Sequence, residues 1–326
     1  MPKNHGGNLD FATSVYGGSV TDWVDLSTGI NRIPYDNLQI SKTNFCVLPD
    51  RVLFESLINV ASNTYNVPAK ASLLPISGVQ IGIQAIPHIK GCGTAKILGP
   101  TYNEYSSALR NFGWKVICVK HLKDLHGADL AIVVNPNNPN GRLCKQKDIL
   151  QILPTVGKII IDESYCDPTP ELSMIPHAGK KGLIIFKSVG KFFGLAGIRL
   201  GFVIGPKSEI EFFSNILGPW SVSGPALEIG TRALLDTSWI HQTRKRLNYD
   251  AKRLSHLITE SKLQSAGATK LFHLIQLDNA KNAQKIFAEE MVWTRIFSYS
   301  KSWLRIGLPG SEDEWSRLGA CLKKLT

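Results

Sequence analysis

The chain has no uninterrupted apolar run approaching the roughly 20 residues that a membrane-crossing helix needs, so no membrane partner is expected. It has no C-x-x-C pair. The six cysteines (Cys46, Cys92, Cys118, Cys144, Cys166, Cys321) are scattered, with no histidines at zinc-ligand intervals. That excludes zinc ribbons and thioredoxin-like redox motifs, and the thiols read as reduced packing residues, with no metal site expected. There is no internal repeat and no low-complexity linker, which removes solenoids and tethers. The opening residues, Met1 to Asn8, are polar where a secretory signal would be apolar, so the expected location is cytoplasmic. Acidic side chains are the scarcer charge, 26 against 37 basic ones, for a net +11. The bases are dispersed and form no stripe with interleaved aromatics, so nucleic acid is not an expected partner. A positive field of this kind also attracts small anions.

What is present is ordinary globular material: 326 residues, 43% hydrophobic and 19% charged, enough for one large core or for two domains. Short apolar, β-branched runs recur at Ala95 to Leu98, Lys115 to Val119, Leu130 to Asn135, Lys158 to Asp162, Leu183 to Lys187 and Leu200 to Ile204. Apolar throughout, they predict buried parallel or mixed strands, hence an α/β sandwich. Helices are predicted over Arg51 to Tyr65, Gln80 to Ile89 and Asn103 to Phe112. After about Pro219 the texture changes. One long helical stretch from Ala226 to Glu260 precedes strand-like pieces at His273 to Leu277, Val292 to Phe297 and Trp303 to Leu308, and a last helix starts near Glu312. This predicts a large domain over 34–220 and a smaller α+β domain over 221–326.

The richest segment is Ser188-Val-Gly-Lys191-Phe-Phe-Gly194-Leu-Ala-Gly197-Ile-Arg199. A hydroxyl, an amine and a guanidinium stand around one small volume. The amine can form a Schiff base with an aldehyde, and the other two can hold a phosphate. A surface lysine in a glycine-rich loop would read the same way in isolation. Elsewhere, Asp162 ends a buried strand, at the rim where open α/β sheets bind ligands, and Tyr165 follows. Asp162 could equally cap the next turn. Asn135-Pro-Asn-Asn138-Pro-Asn-Gly141 is a loop. Ser77-Gly78-Val79-Gln80 leads into a helix with small residues that let backbone amides approach a phosphate. Tyr102 suits face contact with a flat ring, or a core. Arg305 sits in a strand, where burial would call for a partner.

These segments resemble the pyridoxal-phosphate enzymes of fold type I, the aspartate aminotransferase superfamily, and they occur in that family's order. The resemblance implies a large mixed-sheet α/β/α domain with a smaller C-terminal α+β domain, and pyridoxal 5'-phosphate as cofactor. It implies Lys191 as the cofactor lysine and Asp162 as partner of the pyridine nitrogen. Asn138 and Tyr165 would bond the phenolic oxygen, and Tyr102 would stack on the ring. Ser77, Gly78, Val79, Gln80, Ser188 and Arg199 would surround the phosphate. Tyr65 matches a tyrosine that reaches the cofactor of a neighbouring subunit, which implies a homodimer. Arg305 matches the arginine that grips a substrate carboxylate, a bidentate task lysine does not copy. Asn140 replaces the family's usual threonine.

The N-terminal segments His5-Gly6-Gly7-Asn8 and Ser27-Thr28-Gly29-Ile30-Asn31 resemble the cobalamin-pathway L-threonine O-3-phosphate decarboxylases, relatives of the histidinol-phosphate aminotransferases. That resemblance implies an N-terminal arm over 1–33 that closes on a small phosphorylated amino acid, with His5, Asn8 and Arg295 at its phosphate and Gly29 and Asn31 at its amino-acid end. The expected reaction is loss of carbon dioxide to give (R)-1-aminopropan-2-yl phosphate. Arg32 departs from the family's proline, which bears on the loop's geometry. Residue identity leaves a transaminase of the histidinol-phosphate kind open, and a silent binding protein on the same fold.

Overall fold

Seven short runs form one sheet, and most of them are apolar, carry β-branched residues and are buried along most of their length. The strands are β1 (Ser72–Ile76), β2 (Thr94–Leu98), β3 (Lys115–Val119), β4 (Leu130–Val134), β5 (Lys158–Asp162), β6 (Leu183–Ser188) and β7 (Gly201–Gly205). Their order across the sheet is β1-β7-β6-β5-β4-β2-β3. All central pairings are parallel except those of β7, which runs against β6 and β1. This is a computed structural model, and it describes residues 5–325.

Two strands differ from expectation. β3 is mostly exposed, because as the edge strand it has one hydrogen-bonded neighbour. β1 was not foreseen: it contains Pro75, which has no amide to give a central ladder and is tolerated because β1 is the opposite edge. Helices α1 (Arg51–Thr64), α2 (Val79–Ala85), α3 (Glu104–Asn111) and α4 (Lys207–Leu217) accompany the sheet. The core between them includes Ile76, Ile83, Ile132, Phe186 and Phe213.

The stretch expected as one helix over Ala226 to Glu260 is two, α5 (Gly224–Leu235) and α6 (Thr237–Glu260). Asp236 breaks the run with ψ 76°, and its carboxylate accepts from the Trp239 amide at 2.9 Å, capping the second helix.

The chain divides into two units, a larger one of Tyr35–Asn138 with Arg142–Gln242 and a smaller one of residues up to Pro34, Pro139–Gly141 and from Thr243 onward. The smaller unit holds an antiparallel sheet in the order β10-β11-β9-β8, made of β8 (Gln264–Ala268), β9 (Phe272–Gln276), β10 (Arg295–Phe297) and β11 (Ser300–Gly307). β8 was not foreseen, since Gln-Ser-Ala-Gly-Ala carries no β-branched residue. Helices α7 (Ala280–Glu289) and α8 (Glu312–Lys323) belong to this unit. Val24–Asp25 pairs in parallel with Val292–Trp293, and Trp23 meets Trp293 edge-on at 6.1 Å. Arg32 is tied down: its Nε donates to Glu314 at 2.8 Å and Nη1 to the Asp25 carbonyl at 3.3 Å, so the departure from proline replaces a ring constraint with an ion pair. Among the described residues no helix is long and apolar enough to cross a membrane.

Candidate active site

A cavity of about 190 Å³ opens in the larger unit at the carboxyl ends of β4, β5 and β6. Its position follows from topology, because parallel strands deliver their last side chains to one rim. Asp162 comes from the end of β5 and Ser188 from the end of β6, while Lys191 sits in the short helix Val189–Phe192. Nearly all the residues expected around the cofactor line this cavity, namely Gly78, Val79, Gln80, Tyr102, Asn138, Asp162, Tyr165, Ser188, Lys191 and Arg199.

Two expected residues lie outside it. The Ser77 hydroxyl donates to the Ser221 carbonyl. The Tyr65 hydroxyl is buried within its own subunit, and its ring packs edge-on to Phe202 at 5.9 Å and beneath the Lys187 ammonium at 5.0 Å. The expectation for Tyr65 concerns the cofactor of a neighbouring subunit, and within this chain the residue lies away from the pocket.

Each side chain of the pocket is held by local chemistry. The Lys191 ammonium stands 5.8 Å from the centroid of the Tyr165 ring. The Ser188 hydroxyl accepts from the Gly190 amide at 3.3 Å and so caps the turn that carries the lysine. Arg199 adopts a left-handed backbone, φ 56°, and donates to the Ala196 carbonyl at 3.0 Å. Gly78 has φ 76°, and a Cβ there would stand 2.7 Å from Arg199 Nη2. Glycine thus leaves room for the guanidinium beside the turn that opens α2.

The loop bearing Asn138 is fixed by residues that sequence reading treated as turn material. Asn135 exchanges two hydrogen bonds with the Cys144 backbone, at 2.9 and 3.0 Å. Asn137 donates to the Pro100 carbonyl and accepts from Thr101, and Arg142 donates to the carbonyls of Leu98 and Gly99. On the other wall, the Tyr102 hydroxyl donates to Gln80 at 3.2 Å, and burial pushes its phenol up to about 12. Tyr105, also missed, donates to Asp162 at 2.7 Å. Tyr105 stands in the first turn of α3, whereas Tyr102 precedes that helix, so no helical spacing pointed from one ring to the other.

The expected substrate contacts all fall in the smaller unit. His5, Asn8 and Arg295 line one cavity of about 470 Å³, together with Lys281 and Lys285 of α7, which sequence reading did not single out. Arg305 on β11 is buried, donates to the Ser27 carbonyl at 2.7 Å, and lies 5.0 Å from the centroid of Phe272. Gly29 and Asn31 are also buried, and Asn31 accepts from Arg246 at 2.7 Å.

Residues 52–318 match the family described as aminotransferase class I and II. The chain belongs to that family. Among its relatives, a threonine-phosphate decarboxylase from a Sinorhizobium species is 37% identical, over 99% of this chain and 98% of that one. A threonine-phosphate decarboxylase from Pseudomonas aeruginosa is 34% identical, over 98% and 96%. A histidinol-phosphate aminotransferase from Sinorhizobium meliloti, solved in complex with pyridoxal-5'-phosphate, superposes with a TM-score of 0.86 over 100% of this chain and 95% of that one, at 14% identity. That last likeness concerns the class I and II aminotransferase fold alone.

Proposed function

We propose that this chain is a pyridoxal 5'-phosphate-dependent, cytoplasmic decarboxylase of L-threonine O-3-phosphate, acting in formation of the aminopropanol side chain of cobalamin. The observation that carries the reading is the convergence of Lys191, Asp162, Tyr165, Asn138 and Arg199 on one cavity. The near-full-length relatives supply the substrate.

When bound, the cofactor supplies an electron sink conjugated to the substrate's α-carbon. Lys191 would hold it covalently. Asp162 would accept a hydrogen bond from the ring nitrogen, Asn138 and Tyr165 would bond the phenolic oxygen, and the Tyr102 ring would stack on the cofactor's ring. Ser188, Arg199 and the backbone at Gly78, Val79 and Gln80 would hold the phosphate. Beside Gly78, Ser77 fixes the turn by its bond to Ser221.

The substrate is dianionic at its phosphate and anionic at its carboxylate, and the smaller unit carries the matching cations. We assign Arg305 to the carboxylate, His5, Asn8 and Arg295 to the phosphate, and Gly29 and Asn31 to the amino-acid end, with the arm over 1–33 bearing His5, Asn8, Gly29 and Asn31. Phosphate contacts are remote from the reacting bond, so their binding energy can be spent on orientation. Orientation decides the outcome: the bond at Cα that stands perpendicular to the conjugated plane is the one that breaks. With the carboxylate so placed, carbon dioxide would leave, Lys191 or a water would return a proton to Cα, and (R)-1-aminopropan-2-yl phosphate would be released.

The experiment is a single turnover of L-threonine O-3-phosphate on the holoenzyme with no keto acid, read by mass spectrometry. Carbon dioxide with aminopropanol phosphate is the expected result. Accumulation of a keto product would overturn the decarboxylase in favour of a transaminase.

We further propose a homodimer. It rests on the exposed apolar side chains of Phe45, Leu48 and Val52, the last 76% exposed, and on the match of Tyr65 to a tyrosine that reaches a neighbouring subunit's cofactor. Analytical ultracentrifugation tests it, and a monomer at micromolar concentration would refute it.

A further inference from the structure

Asp162 is 4% exposed, and its hydrogen bonds are shared unevenly between its two oxygens. Oδ1 accepts from the Ser164 amide at 2.9 Å and from the Ser164 hydroxyl at 2.6 Å. Oδ2 accepts from the Tyr105 hydroxyl at 2.7 Å. A carboxylate offers about four acceptor positions, two on each oxygen. Both positions on Oδ1 are therefore filled, and one remains on Oδ2.

Asp162 lines the cavity, whereas Tyr105 stands behind it, fully buried and edge-on to Tyr102 at 6.5 Å. Its phenol is pushed well above the ordinary tyrosine value by burial and by the charge of Asp162, so it is a neutral donor throughout the working range of pH. A neutral donor to Oδ2 does two things. It leaves that oxygen a single open direction, and it draws negative charge away from it, which weakens its pull on any proton shared across the remaining bond.

We propose that Tyr105 is a positioning residue for the cofactor's ring nitrogen: Ser164 leaves Oδ2 of Asp162 as the accepting atom, and the Tyr105 hydroxyl narrows that oxygen to one open direction and sets how strongly it draws the ring proton. The inference rests on the pyridoxal 5'-phosphate reading above. A phenol that weakens Oδ2 leaves the proton on the ring nitrogen, and a cationic ring is the better electron sink.

The test loads the enzyme with cofactor labelled with nitrogen-15 in the ring and reads that nitrogen's resonance by NMR. In Tyr105→Phe the donor is lost, Oδ2 draws harder, and the resonance is expected to move toward the unprotonated position. With 3-fluorotyrosine or 3,5-difluorotyrosine at position 105, nearly the same shape but a stronger donor, it is expected to move the opposite way, further for two fluorines than for one. A role in packing alone would not produce a graded shift of opposite sign. The fluorinated series decides the matter even if Tyr105→Phe fails to fold. A resonance that stays fixed across the series, or moves regardless of donor strength, overturns the proposal. Failure of the wild-type protein to bind the label would instead overturn the cofactor reading itself.

Discussion

The Lys187 ammonium lies 2.5 Å from the Asp167 carboxylate and 3.7 Å from that of Glu163, in a core where Lys187 is only 2% exposed. Lys187 and Glu163 follow one another across β6 and the end of β5, next to Ser188 and Asp162. The ion cluster thus ties the two strand ends that deliver Asp162 and Ser188 to the cavity.

Lys187→Met should cost roughly 3–5 kcal/mol of stability, because it leaves two carboxylates buried without their cation. Denaturant unfolding reads the loss, and removing Asp167 as well, by Asp167→Leu, should recover part of it. Burial alone would lower the lysine's proton affinity, but the acidic groups around it, Asp167 foremost with Cys166, Glu163 and Tyr65, together outweigh it and the net direction is upward. A base with a raised folded value contributes stability that is complete below its ordinary value of 10.5 and fades only as pH rises above it.

Gly78→Ala and Arg199→Ala should act on the same contact. The added methyl would meet the guanidinium at 2.7 Å, and φ 76° is unfavourable for alanine. Each change is expected to weaken cofactor retention about 10- to 100-fold, the worth of a charge-assisted hydrogen bond. The double variant should lose little more than either single one. Equilibrium dialysis provides the numbers, and full additivity would mean that the two residues act apart.

Lys191→Ala should abolish the visible absorbance of lysine-linked cofactor and lower turnover by at least 10²-fold, about the least that loss of a proton-transferring group costs. A persisting lysine-linked spectrum would transfer the role to another amine. Asp162→Asn should keep the fold and lose most of the activity, with circular dichroism and carbon dioxide release as the paired readouts.

His273 gives the protein an acid limit. Burial depresses its imidazole from 6.5 to about 4, while Ser265 shares a 2.9 Å hydrogen bond with it. The folded state therefore refuses a proton that the unfolded chain takes up, and stability present above pH 6.5 is lost as pH falls toward 4. About 2 kcal/mol should disappear between pH 7 and pH 5. Urea unfolding of His273→Gln should lack that slope, and equal slopes would point to another group.

Much of the larger unit was legible because its strands are buried on both faces and so carry continuous apolar runs. The strands β4 to β7 match their predicted stretches within a residue or two. What escaped notice was whatever tertiary contact decides: Pro75 hid an edge strand, Asp236 capped a helix within an apparently continuous stretch, and β8 has no strand-forming composition at all. The cofactor pocket was legible for a related reason, since backbone order brings its residues to one rim. The supports behind it were not. Tyr105, Asn135 and Arg142 act through partners 57, 9 and 44 residues away, distances at which no periodicity speaks.

The pairing of Val24 with Val292 has a consequence for synthesis on the ribosome. Trp23, Val24 and Leu26 emerge early and are buried in the finished protein, yet their partner strand follows about 270 residues later. At the usual pace of translation the wait is roughly 10–50 s. The larger unit, complete by Gln242, has its whole sequence out before the last stretch appears. Throughout that interval the nascent chain trails an apolar N-terminal segment with nowhere to dock, a natural ligand for a holdase chaperone and the place where misassembly would begin.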